Sequence, residues 1–241
     1  MADYETIRTR SAGEGRVGVI DEGLRAYMNR VYMTMGIGMA ITGLIAWFVG
    51  TNPAMLQAIY GTGLKWVVMF APLIVVFAFG ATIHRMSPQT ATLVFYGYSA
   101  LMGLSLSFIF AVYTGISIAQ TFFVTAIAFL ALSLYGYTTK RDLSGFGTFL
   151  FMGLIGLLVA SVVNIFLGSP AVQFAISVIG VLIFAGLTAY DTQAIKALYI
   201  EMAASSDEAT ISRMAIMGAL KLYLDFLNMF MFLLQFLGNR E

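Results

Sequence analysis

The chain has 241 residues, of which 60% are hydrophobic and only 10% charged, and its mean hydropathy of +0.88 lies far from that of a water-soluble domain. A net charge of +1, carried by basic residues set singly or in pairs, gives no field for holding nucleic acid. Cysteine is absent, which excludes disulfides, thiolate metal sites and a cysteine nucleophile, and the single histidine, His84, excludes a histidine-pair metal centre.

Residues 1–30 are polar and carry both signs, from Asp3 and Arg8 to Arg25 and Arg30. They read as a cytosolic tail and not as a cleaved signal, because the first apolar run has full spanning length. A bilayer core needs about 20 apolar residues per helix. Seven runs meet that requirement, at 31–49, 66–83, 91–113, 116–137, 147–167, 171–190 and 214–237. None alternates as a barrel strand would, so the expected fold is one all-α integral membrane domain over 31–237 with seven transmembrane helices. Ser87-Pro88 and Ser169-Pro170 are helix starts, a capping hydroxyl followed by the residue best suited to the first helical position. Small residues four apart, such as Gly36 and Ala40 or Gly156 and Ala160, permit close helix approach. The longest polar connection is Ile200 to Arg213. With the amino terminus inside, ten Lys and Arg fall on the inner face and two, Lys65 and Arg240, on the outer. The expected orientation therefore puts the amino terminus in the cytoplasm and the carboxyl terminus outside.

Within the spans the acids are Asp225, inside the seventh, and Asp191, at the inner end of the sixth. A carboxylate at mid-membrane costs about 2.5 to 3.5 kcal/mol on insertion scales, so it faces the bundle interior, finds a partner or is protonated. On the seventh helix Lys221, Asp225, Asn228 and Gln235 follow steps that keep them on one face. A helix with one polar face and apolar residues on the rest belongs against the interior of the bundle. Asn228 and Gln235 on that face also suit an interhelical hydrogen-bond seam, and Lys221 either pairs with Asp225 one turn on or extends to the inner surface.

The two acidic motifs, "FAGLTAYDTQ" and "LKLYLDFLNMF", together resemble the Bax inhibitor-1 family (transmembrane Bax inhibitor motif proteins) in its bacterial branch, over about residues 25 to 238. The resemblance implies six helices around a central seventh. It also implies a pH-sensitive calcium leak channel of the inner membrane, in which Asp191 and Asp225 share a proton on the cytosolic side of the pore. Bacterial relatives are further linked to a membrane-bound ATP-dependent protease, so a regulatory or partner role beside that protease is a second reading. No enzyme activity and no cofactor are implied, with calcium as the permeant ion and protons as the controlling one.

Chemistry beside the resemblance agrees with it in part. Two carboxyl groups held close cannot both ionise freely and titrate as a unit, which makes them a proton sensor. Calcium prefers six to eight oxygens, and two aspartates with hydroxyl, carbonyl and water oxygens offer only a weak site, better suited to permeation than to storage. Thr188, Thr192, Asn164 and Gln120 are candidates to add oxygens, though each also suits a helix-helix hydrogen bond. Arg85, at the inner end of span two, is either a positive-inside anchor or a countercharge that latches onto Asp191. By apolar boundaries Asp191 ends its span while Asp225 lies about 11 residues inside its own, a gap of roughly 16 Å. The two meet only if span six continues through "DTQAIKAL" or span seven begins further in.

Other seven-helix chemistries fit less well. Intramembrane aspartyl proteases carry Gly-x-Gly-Asp on the later helix, where this chain has Leu222, Tyr223, Leu224 and Asp225. Microbial rhodopsins place the aspartate one turn before the lysine, the reverse of Lys221 and Asp225. A proton-coupled cation exchanger remains open, since a carboxyl pair carries protons as well as sensing them.

Overall fold

The computed structural model describes the backbone of residues 2–203 and 205–239 and the side chains of residues 22–203 and 205–239, so the most polar part of the expected tail lies outside the described side chains. Eight α-helices follow in order: α1 (Ala2–Gly50), α2 (Pro53–Tyr60), α3 (Leu64–Thr82), α4 (Pro88–Leu106), α5 (Gly115–Thr138), α6 (Ser144–Leu167), α7 (Pro170–Met202) and α8 (Glu208–Leu237). Short 3-10 turns follow α3 at Ile83–Arg85 and α4 at Ser107–Ala111. No strand occurs among the described residues. Seven of the helices are long and apolar enough to cross a membrane, and α2 is a short surface helix between the first two.

The helix starts have identifiable chemistry. Ser87 accepts a hydrogen bond from the Thr90 amide with Pro88 behind it, and Ser169 accepts one from Val172 with Pro170 behind it. Thr114 caps α5 and Asp207 caps α8 in the same way. Gly168 ends α6 at φ 60°, in the left-handed region that a glycine enters without penalty.

Helix α8 is the axis of the bundle. Its most apolar window is 61% buried, against 17% to 39% for the other six spans. It packs against α1, α4, α5 and α7, while α3 lies against α4 and α6 against α7. Large side chains fill the space around it. The Tyr223 ring meets Phe95 and Tyr98 of α4 edge-on, and Phe226 meets Phe122 and Phe129 of α5. The Tyr223 hydroxyl is paired with Thr42 of α1 at 2.6 Å, so this buried polar group does not go unsatisfied in a medium without water. The aromatic outer surface of α3, α5 and α6, from Phe77 to Phe123 and Phe166, is left for lipid.

Two boundaries differ from the apolar runs in the sequence. Helix α7 does not stop at Tyr190 but continues through Asp191 to Met202, and α8 begins at Glu208 instead of 214. Hydrogen-bonded helix persists beyond the apolar stretch because the residues that follow, such as Gln193, Ala194, Lys196 and Ala197, are good helix formers. Both extensions change where the two acids sit.

Candidate functional site

Helices α7 and α8 are antiparallel neighbours joined by the short connection after Met202. With both extended on that side, Asp191 and Asp225 come to the same level, near enough for their carboxyl groups to interact electrostatically. Asp225 is 5% exposed and its Oδ2 has no hydrogen-bond partner, whereas Asp191 lies nearer the surface. The roughly 16 Å offset expected from apolar boundaries is therefore removed by the longer helices.

Lys221 completes the group. Its Nζ lies 3.7 Å from Asp191 Oδ1, the one ion pair among the described residues. The lysine thus reaches across to α7 and does not pair with Asp225 on its own helix. Arg85 is exposed at the end of the 3-10 turn and forms no ion pair among the described residues; the cation beside Asp191 is Lys221. A cavity of about 560 Å³ opens beside the site, with Lys221, Arg213 and His84 in its wall. Arg213 is held there by the Met86 carbonyl and the Thr210 hydroxyl.

The supporting residues divide into two sets. Thr188 and Thr192 are fully buried one turn apart on α7, each donating to the carbonyl four residues before it. Thr192 also pairs with Ser133 of α5, and Ser133 with Tyr32 of α1, giving a line of hydroxyls across three helices beside Asp191. Tyr32 and Ser133 carry no sequence signal that sets them apart from other helix hydroxyls. Asn228 donates back to the Leu224 carbonyl of its own helix instead of joining a seam. At the other end of the bundle Gln235 accepts from Gln173 and Ser177, and Asn164 donates to Gln173, which makes a polar seam between α6, α7 and α8. Gln120 is exposed on α5, away from the acids. Among the described residues no three of His, Asp and Glu come together, so a calcium ion at the pair would draw its remaining oxygens from hydroxyls, carbonyls and water.

The sequence model described as Inhibitor of apoptosis-promoting Bax1 matches residues 24–241, nearly the whole chain and all of the site. The chain belongs to the Bax inhibitor-1 family. It is 47% identical to the inner membrane protein YbhL of Escherichia coli over 91% of this chain and 94% of that one. It is 45% identical to a Rickettsia prowazekii protein and 46% identical to one from Caulobacter vibrioides, in both cases over the full length of each chain. As a Bax inhibitor-1 family member it is a membrane protein, with seven helices of spanning length and an acid pair on the last two.

Proposed function

We propose that this protein is a pH-sensitive calcium leak channel of the bacterial inner membrane, controlled by the Asp191–Asp225 pair with Lys221 as its countercharge. The observation that carries the reading is the placing of two aspartates together on neighbouring spans, one buried in the central helix and the other paired with Lys221. Such a pair exists with two, one or no protons, and each step changes the charge facing Lys221 by one. With Asp191 ionised, the lysine bridge holds α7 and α8 together at the inner end. Protonation of the pair loosens that bridge and frees the lysine toward the neighbouring cavity, while a fully protonated pair has little attraction for calcium. Flux is then greatest at intermediate pH.

Calcium is the permeant ion in this reading, bound weakly by the two aspartates and by oxygens of the helices around them. The inner membrane follows from the likeness to YbhL, and the cytoplasmic amino terminus from the excess of basic residues at that end. The test is purified protein in liposomes that enclose a calcium dye. Calcium should pass down its own gradient at equal pH on both sides, with a rate that depends on that pH. Flux that appears only with a proton gradient would make the protein an exchanger, and no flux at any pH would overturn the proposal.

A further inference from the structure

Helices α1 and α5 line the two sides of a cleft that opens toward the lipid. Three cavities run along it in series. The first, about 430 Å³, is lined by Arg25, Asn29, Tyr32, Ser133 and Tyr137. The second, about 470 Å³, shares Tyr32 and Leu130 with it and continues over Gly36, Ala40 and Phe226. The third, about 460 Å³, shares Gly43 and Phe122 with the second and ends at Trp47 and Thr51. A Cβ added at Gly36 or Gly43 would meet no atom within 4 Å, so the glycines border open space and are not packed against a neighbour.

We propose that the first two cavities form a binding site for one phospholipid with an anionic headgroup. The phosphate lies at Arg25 and Asn29, and one acyl chain lies along α1 over Gly36 and Ala40 to Phe226 of α8. Charge sets the headgroup end. Arg25 has no ion pair or hydrogen bond among the described residues, and no carboxylate lines the first cavity. The Lys196 ammonium, held on the Tyr137 carbonyl at 2.8 Å and 5.0 Å from its ring centre, adds a second positive charge beside it.

Length and width fit a lipid chain. From Asn29 to Ala40 the helix rises about 16 Å, which is half of a hydrocarbon core of about 30 Å and so the depth of one leaflet. The Tyr32–Ser133 hydrogen bond bridges α1 and α5 at the buried base of the cleft. That bridge leaves no room between the two helices for a third helix about 10 Å across, whereas a hydrocarbon chain fits. The chain ends against Phe226, the residue after Asp225, so the bound lipid braces the part of α8 that carries the acid.

The experiment is to purify the full chain in detergent from membranes of mixed phosphatidylglycerol and phosphatidylethanolamine and to count retained lipids by native mass spectrometry. The wild type should keep one phosphatidylglycerol per chain. Gly36→Leu, which fills the cleft, should lower retention at least fivefold. Gly156→Leu, at an equally open position on lipid-facing α6, should leave it unchanged. Arg25→Ala should reduce the preference for phosphatidylglycerol about fivefold, the size expected of one cation near an anionic headgroup. If Gly36→Leu does not fold, Ala40→Phe blocks the same cleft from the next turn. Undiminished lipid in a folded cleft-filling variant would overturn the proposal, as would a dimer that the variant dissociates, since a second copy would then be the occupant. The readout needs no calcium flux, so it stands or falls apart from the channel reading.

Discussion

Lys221 stands four residues before Asp225 on α8, a spacing that usually joins two opposite charges along one helix face, yet its ammonium reaches Asp191 on α7. The reason is the difference in burial. Asp225 faces the closed interior, while the Lys221 side chain is 53% exposed and extends toward the surface, where Asp191 also lies. Removing the lysine charge leaves Asp191 without its ionic partner, so Lys221→Met should raise calcium leak at neutral pH and weaken its dependence on pH. Arg85→Ala should leave the flux per inserted molecule unchanged, because Arg85 forms no ion pair among the described residues. Both are read in liposomes normalised to the amount of inserted protein. The acids themselves were legible in the sequence, because a carboxylate in an apolar run has few reasons to be there. The partner of Asp191 was not. Spacing along a helix tells which residues share a face, but which neighbour that face meets depends on how the helices are rotated in the bundle.

At the scale of the helix, the ends of α7 and α8 decide whether the acids meet. Apolar length marks where lipid ends, whereas helical hydrogen bonding ends only where the caps say so, and the Asp207 cap moves the start of α8 back to Glu208. Hydrogen bonds from the Thr210 side chain and amide hold the Asp207 carboxyl below the ordinary carboxylate range. A carboxyl whose folded-state value is lowered contributes stability above its unfolded-state value and loses it as pH falls through the folded one. The first turn of α8 should therefore fray in acid below the ordinary carboxylate range, visible as faster amide exchange at residues 208–211 after correction for the intrinsic rate. Asp207→Asn keeps an acceptor at the cap and should remove that pH dependence. The approach of α5 to α7 is equally local. A Cβ at Gly136 would collide with the Ala189 carbonyl, two residues before Asp191, so Gly136→Ala must push the helices apart. We expect a loss of about 1 to 3 kcal/mol in detergent unfolding, together with a disturbed line of hydroxyls from Tyr32 to Thr192.

For the whole molecule, one polar-striped helix lies on the axis with α1, α4, α5 and α7 packed on it and α3 and α6 outside them, and the sequence carried most of that plan. Apolar runs of spanning length matched the seven spanning helices among the described residues, though not the short α2, and the single polar face of the last pointed to its central place. The cleft between α1 and α5 was not legible, because Gly36 and Ala40 have the spacing of close-packed helices, while the structure leaves them facing open space. The distribution of basic residues also sets an orientation. A reporter fused after Glu241 should be active on the outer face of the membrane, and activity only in the cytoplasm would reverse the orientation.

The central claim is that Asp191 and Asp225 act as one titrating unit that controls calcium passage. It is tested most directly by calcium flux into liposomes across pH for Asp191→Asn, Asp225→Asn and the double variant. Groups that share a proton are not independent, so each single change should flatten the pH dependence and the double change should add little to either. Additive effects of the two substitutions, or a pH profile that neither one alters, would contradict it.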